Sequence, residues 1–336
     1  MRRIKNILKD VGSLTLRMPN WIGDNIMTLP SIYKLKQEAP QAEIKIFCPV
    51  NIAAVWKSIG LGDKIFAYKN FKDIAKMSFK PELKSDLMIV YPNSFFSALS
   101  AYITGSKIRM GFSADNRDFL LSIALKKIPI LHQVDEYYYL TFQELPEEVL
   151  IPYFRISTDF SKSISNDLEM QLKQSESLIA VMPSAAWGKS KKWFEENYKD
   201  LIYKLNKLKY NIFIIGNNEE LLRFKEFEQQ DDIKLINYSL DKVAYLLSKC
   251  DIAIGNDSGL IHIASAVGCK TVIVYGATDW RRTYPRNDKS YVLSSEMPCQ
   301  PCWRKKCPRK DYQCLRLIEP KDVINLCIRL LDFYAE

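Results

Sequence analysis

A chain of 336 residues, 47% of them apolar, exceeds one typical domain and can bury a substantial core, so two domains of about 150 residues are expected. No run of about 18 uncharged apolar residues is present to span a membrane. The charged opening MRRIKNILKDVGSLTLRMP does not read as a secretory leader, which leaves a soluble cytoplasmic protein as the expectation. The net charge of +9 is spread along the chain and favours acidic ligands or an anionic membrane surface over a nucleic-acid groove.

In the first half, SLTLRMP (13 to 19) reads as a strand leading through Asn20-Trp21-Ile22-Gly23-Asp24 into an amphipathic helix near 25 to 38, followed by strand EIKIFCP (43 to 49). Strand DLMIVYP (86 to 92) opens a turn at Asn93-Ser94, with a helix and the segment KIRMGF (107 to 112) after it, and the half closes in extended chain near Ile151-Pro152-Tyr153. A polar helix is expected at 161 to 173. Strand SLIAVMP (177 to 183) then precedes the polar loop from Ser184 to Trp193 and a helix over 194 to 208. Strand NIFIIG (211 to 216), a Glu-rich helix, strand KLIN (234 to 237) and a helix from Leu240 to Ser248 follow. Strands alternating with helices in both halves predict two α/β domains facing each other across a cleft, with ligands at the carboxyl ends of the strands.

The stretch from Cys250 to Gly268 is the most informative: an apolar strand runs into Asn256-Asp257-Ser258-Gly259, then a helix, and strand KTVIVYG (270 to 276) follows at once. Free backbone N–H groups at such a helix start suit a phosphate, which points to a nucleotide or its diphosphate. His262, one turn beyond Gly259, can face the same mouth. The plainer reading makes Asp257 and Ser258 helix caps and His262 a packing residue.

Neither G-x-G-x-x-G after the first strand nor G-x-x-x-x-G-K-[ST] anywhere is present, so hydride transfer and ATP hydrolysis lose support. With only two histidines, His132 and His262, a histidine-rich metal site is excluded, and neither lies in a nucleophile-elbow context. Asp24, at the end of a Gly-containing turn, is the candidate base for an acceptor hydroxyl, its alternative being a helix N-cap. Lys191, in the loop after a strand, is placed to neutralise a leaving diphosphate, its alternative being a solvated charge beside Lys189 and Lys192. Cys299, Cys302, Cys307 and Cys314 stand in C-x2-C-x4-C-x6-C spacing, which differs from the usual zinc ribbons, so free thiols or bridges formed on oxidation are expected before a structural metal. The basic cluster Arg304, Lys305, Lys306, Arg309 and Lys310 in the same run is either a solvated face or a contact for anionic headgroups or acceptor phosphates.

The segments RMPNWIGDNIMTLP (17 to 30), NSFFSAL (93 to 99), PSAAWGKSKKW (183 to 193), NDSGLIHIASAVG (256 to 268) and YGATD (275 to 279) resemble the ADP-heptose:lipopolysaccharide heptosyltransferases, glycosyltransferase family nine. N-S-x-x-S-A-L, Y-P-R and C-x-P-C…C-P look closer to the heptosyltransferase II branch. The resemblance implies a GT-B fold of two Rossmann-like domains: residues 1-155 for the acceptor, 156-320 for the nucleotide-sugar donor, and a C-terminal helix in 321-336 packing back on the N-terminal domain. It implies inverting, metal-independent transfer of heptose from ADP-heptose, with no cofactor, to the inner core of lipopolysaccharide, heptosyl-Kdo2-lipid A being the implied acceptor, at the cytoplasmic face of the inner membrane. Asp24 matches the family's proposed base, Lys191 the lysine of its K-x-W, and Asp257, Ser258 and Gly259 its D-[ST]-G turn with His262 beside them. Ser184 falls with the donor and Asn93 and Ser94 with the acceptor, while Glu219 and Glu220 both qualify as the glutamate on the adenosine ribose. Asp311 stands where many members carry histidine. Two other classes stay open: another GT-B nucleotide-sugar transferase on a different cell-surface glycan, and a zinc-stabilised nucleic-acid binder, which the scarcity of aromatic residues in the basic segment disfavours.

Overall fold

Apolar runs without polar alternation form strands covered on both faces, and such strands lie at the centre of two parallel sheets here. The computed structural model describes residues 4–147, 151, 153–155, 172 and 177–332, which divide into compact units Met1–Pro152 and Tyr153–Glu336. The polar helix expected at 161 to 173 falls, apart from Leu172, outside the described residues.

The first unit runs α1 (Ile4–Asp10), β1 (Ser13–Arg17), α2 (Ile22–Met27), α3 (Leu29–Glu38), β2 (Glu43–Pro49), α4 (Val50–Ile59), β3 (Lys64–Tyr68), α5 (Phe71–Ser78), β4 (Leu87–Val90), α6 (Phe95–Ile103), β5 (Ile108–Phe112), β6 (Ile123–Leu125) and α7 (Gln133–Phe142). Its strands lie in the order β3-β2-β1-β4-β5-β6, every pair parallel. Leu14 and Leu16 of β1 are fully buried between strands whose own side chains are equally covered. The order reverses direction between β1 and β4, which opens a crevice at their carboxyl ends.

One helix expected over 25 to 38 is two. Pro30 has no amide to donate back to the preceding turn, and the chain breaks at Thr28, which ends α2 and caps α3 while its hydroxyl donates to the Asn25 carbonyl at 2.7 Å. The helix also begins earlier than expected, at Ile22, so Asp24 lies inside the first turn of α2 rather than ahead of a helix.

The second unit runs β7 (Leu178–Met182), α8 (Glu195–Lys207), β8 (Asn211–Ile215), α9 (Asn218–Leu221), β9 (Ile233–Ile236), α10 (Leu240–Leu247), β10 (Ile252–Asn256), α11 (Gly259–Ala266), β11 (Lys270–Tyr275), α12 (Trp280–Thr283), β12 (Ser290–Ser294), α13 (Gln313–Arg316) and α14 (Pro320–Asp332). The sheet order is β12-β11-β10-β7-β8-β9, again all parallel, with the reversal between β7 and β10. The Glu-rich helix is a short α9 that tightens into a 3₁₀ turn over Leu222–Phe227.

The closing helix, expected to pack back on the N-terminal domain, belongs to the second unit's core. Val323 and Cys327 of α14 are fully buried in a cluster with Trp193, Tyr198, Leu201 and Leu205, and the helix lies against α8 and β11. The Lys270 ammonium, on β11, donates to the Leu330 carbonyl at 2.7 Å and so closes the far end. The spacing of these residues, roughly one and two turns apart, gives the helix one apolar stripe, which a single sheet face satisfies. Among the described residues no helix is long and apolar enough to cross a membrane.

A carboxylate placed inside that stripe has no partner and no water. Val323→Asp is predicted to lower stability by about 3 kcal/mol or more, read as a fall in the urea unfolding midpoint followed by circular dichroism. An unchanged midpoint would show that α14 does not share the core.

Candidate active site

The crevice at the carboxyl ends of β1 and β4 holds a pocket of about 260 Å³ lined by residues that include Trp21, Asp24, Asn93, Lys127, Glu136 and Tyr137. The alternative in which Asp24 caps a helix is not what the structure shows, since the N-cap of α2 is Trp21 and makes no side-chain cap bond. Asp24 instead accepts a hydrogen bond from the Tyr137 hydroxyl of α7 at 3.1 Å. Burial first, and the Asp24 charge second, push the Tyr137 phenol well above its ordinary range, so it stays protonated and donates. Beside them the Lys127 ammonium reaches the nearly buried Glu136 carboxylate at 2.6 Å.

Two arginines missing from the sequence-based site hold this crevice in shape. Arg17, at the end of β1 and 2% exposed, donates to the Met18 carbonyl at 2.8 Å and to the Tyr68 hydroxyl at 2.6 Å, and Tyr68 in turn donates to Asn20 at 3.0 Å. Arg117, fully buried, donates to the carbonyls of Phe112, Pro92 and Ser94 and to the Ser97 hydroxyl, and burial lowers its pKa to about 10. It fixes the turn that carries Asn93, whose buried Oδ1 has no hydrogen-bond partner among the described residues. Ser94 is separate from the pocket lining and caps α6, accepting from the Ser97 amide at 3.3 Å.

In the second unit, the turn after β10 meets the loop after β7. Lys191 and Asp257 pair at 2.5 Å with side chains 14% and 5% exposed, and the Thr278 hydroxyl donates to the same Asp257 oxygen at 2.6 Å. Asn256 ties the two loops together, accepting from the Trp193 amide at 2.8 Å and donating to the Pro183 carbonyl at 2.9 Å. Ser258 is the N-cap of α11, yet its side chain makes no cap bond, and its buried Oγ is unpartnered among the described residues. The buried Nδ1 of His262, one turn on, is also unpartnered. Burial drives the His262 pKa down to about 4, with Asp257 opposing and Lys191 reinforcing, so the ring is neutral at neutral pH. A cation, a helix N-terminus and two unsatisfied polar atoms therefore converge where the sequence pattern placed an anion.

Glu219 and Glu220 have different surroundings. Glu220 forms a capping box with Asn217, accepts from the Ser184 hydroxyl at 2.5 Å and lies 3.8 Å from the Lys192 ammonium, so it stands beside the loop after β7. The Glu219 side chain is 86% exposed, and its ion pair is with Arg223. Cys299, Cys302, Cys307 and Cys314 are unbridged, and among the described residues no cluster of metal-ligating side chains is placed to hold a metal ion.

The model of glycosyltransferase family 9 (heptosyltransferase) matches residues 78–313. The chain is similar to the lipooligosaccharide heptosyltransferase 2 of Campylobacter jejuni subsp. jejuni serotype O:2, 24% identical over 326 residues that cover 94% of this chain and 97% of the relative. It is similar to the lipopolysaccharide heptosyltransferase 2 of Escherichia coli, 26% identical over 302 residues that cover 82% and 86%. Among solved structures, E. coli ADP-heptose lipopolysaccharide heptosyltransferase II matches with a TM-score of 0.79 at 23% identity, covering 96% of this chain and all of that one. That likeness identifies the two parallel-sheet units as a GT-B fold, and the relatives fall in the heptosyltransferase II branch. With the family's model spanning most of its length, the chain belongs to glycosyltransferase family 9, the heptosyltransferases.

Proposed function

We propose that the protein transfers heptose from ADP-heptose to the inner core of a lipopolysaccharide or lipooligosaccharide, with heptosyl-Kdo2-lipid A as the acceptor, in an inverting reaction that needs no metal ion or cofactor. The observation that carries this reading is the convergence of the Lys191–Asp257 pair, the α11 N-terminus, Ser258 Oγ and His262 Nδ1 at the switch point of the second sheet. The domain roles follow: the second unit takes the donor and the first takes the acceptor.

The chemistry proceeds from the residues. An acceptor hydroxyl lying in the crevice beside Asp24 gives its proton to the Asp24 carboxylate as its oxygen attacks the anomeric carbon of heptose. The bond from that carbon to the diphosphate oxygen breaks, and ADP leaves with the electron pair. Displacement from the opposite face inverts the anomeric centre. Tyr137 holds the carboxylate through its hydroxyl. Lys191 and the N–H groups at the start of α11 receive the charge that develops on ADP, in a site already organised before substrate arrives. Ser258 supplies its hydroxyl to the phosphates, and Glu220, oriented by the Ser184 hydroxyl and Asn217, accepts from the ribose. His262 acts as a neutral partner, because a ring with a pKa near 4 brings no cationic charge to the diphosphate. Asn93, on the acceptor pocket, offers an unpartnered side-chain oxygen to a sugar hydroxyl, and Ser94 contributes through the turn it caps.

The direct test is ADP release from ADP-heptose by the purified protein in EDTA, with and without heptosyl-Kdo2-lipid A. Asp24→Ala is expected to lower kcat by roughly 100-fold to 10,000-fold while leaving ADP affinity unchanged. Near-normal turnover would remove Asp24 from the role of base. ADP binding without release on this acceptor would turn the search to other sugars and glycans.

The neutral His262 carries a pH signature. Its folded pKa of about 4 lies below the ordinary 6.5, so between those values the unfolded chain binds a proton that the folded chain refuses. Stability therefore falls as pH falls through that window, by about 3 kcal/mol in full. Urea unfolding of the wild type should show this loss, and His262→Gln should lack that share of it. An equal pH dependence in the two proteins would contradict the burial of a neutral ring.

A further inference from the structure

Phe71, at the start of α5, meets Phe96 of α6 edge-on with ring centroids 4.8 Å apart, Phe96 lies 6.1 Å from Phe95, and Phe95 lies 6.2 Å from Phe119 in the 3₁₀ turn over Asp118–Leu120. Three of these four touching rings face solvent: Phe71 is 52% exposed, Phe96 56% and Phe119 74%. Single exposed aromatic residues are ordinary, whereas a contiguous group assembled from three elements marks a contact surface.

Charge around the rings says what the surface meets. Lys69, Lys72, Lys76 and Lys80 are all exposed, and none of them is held in an ion pair among the described residues. Lys72 and Lys76 stand one turn apart on α5. Three nearby acids are held within the fold, Asp73 accepting from the Lys69 amide, Asp115 from the Phe95 amide and Asp118 from the Ser113 hydroxyl, while Glu82, beyond Lys80, is exposed. Exposed aromatic rings with unpaired lysines on the adjoining α5 suit the headgroup level of an anionic bilayer, where the rings enter the apolar boundary and the ammonium groups remain with the phosphates.

Position ties the surface to the reaction. α5 follows β3 and α6 follows β4, so both begin at the edge of the first sheet that carries the Asp24 pocket. Asn93, which lines that pocket, is two residues from Phe95. The basic run from Arg304 to Lys310, the sequence-based candidate for headgroup contact, lies in the second unit, where its basic side chains are exposed while the Lys305 carbonyl accepts from the Ser190 amide and the Arg304 carbonyl from the Ser190 hydroxyl. We propose that the face formed by Phe71, Phe96 and Phe119 with Lys72 and Lys76 docks the first unit on an anionic phospholipid surface. On the reading above, this brings the pocket to a lipid-anchored acceptor without extracting its acyl chains.

Co-sedimentation of the whole protein, without donor or acceptor, with vesicles of phosphatidylcholine alone and of phosphatidylcholine with phosphatidylglycerol tests the assignment. Binding is expected on the anionic vesicles and to weaken with salt. Lys72→Gln with Lys76→Gln should lower it about 25-fold, about fivefold for each lysine beside an anionic surface. Phe96→Ser with Phe119→Ser should lower it on the same vesicles. Both pairs should keep wild-type turnover on an acceptor stripped of its acyl chains, an assay that reads the transferase separately, so a wild type that binds vesicles but does not turn over leaves the docking face standing. Equal binding to the two vesicle types, or binding unchanged in both pairs, would overturn the proposal. Reversible self-association abolished by the phenylalanine pair, with no vesicle binding, would also overturn it and assign the face to a second copy.

Discussion

Lys191 and Asp257 are almost removed from water and meet at 2.5 Å, and much of the second unit's local architecture serves to keep them there. Such a pair gains little net stability, because desolvation offsets attraction, but leaving either charge alone is strongly unfavourable. The loop bearing Lys191 is accordingly clamped from both sides. The Ser190 carbonyl accepts from the Ala277 amide at 3.2 Å, and its amide donates to the Lys305 carbonyl at 3.3 Å. A Cβ at Gly188 would stand 2.6 Å from the Lys305 carbonyl oxygen, and one at Gly276 would strike the Ser190 carbonyl. The segment from Arg304 to Lys305 is thus part of the wall that aims a cation, and the Trp303 amide, bonded to the Ala277 carbonyl, anchors it to the end of β11.

The two units repeat one solution. Each winds six parallel strands in the same order, and each places its polar residues where the order reverses. What differs is the chemistry mounted there. The first crevice presents carboxylate, phenol and amide side chains suited to sugar hydroxyls, and the second presents a cation and a helix N-terminus suited to a diphosphate.

Alternation of strand and helix was readable because buried parallel strands are continuous apolar runs such as LIAVM and IAIGN. The Asp-Ser-Gly turn was readable for a similarly local reason, since strand, polar turn and helix stand together in sequence. The capping-box spacing from Asn217 to Glu220, which sets Glu220 apart from Glu219, was also present in the sequence but unused. Other parts depend on distant partners. Tyr137 is 113 residues from the Asp24 it orients, and Arg117 is held by carbonyls from two separate segments, Phe112 and the turn from Pro92 to Ser94, so neither shows in a local pattern. The break at Thr28 needed the consequence of Pro30 to be followed back into the preceding turn. That α14 shares the second unit's core was not legible because an amphipathic stripe says that a helix is covered without saying by what.

If the pair at the β10–α11 turn is the diphosphate site, the ADP affinity of Lys191→Ala measured by titration calorimetry in EDTA reads it most directly, with the unfolding midpoint followed alongside to show that the protein remains folded. The account predicts ADP binding weakened by at least about 30-fold, the lower end of what truncating a buried charge partner costs at a binding site. Unchanged affinity in a folded variant would contradict it.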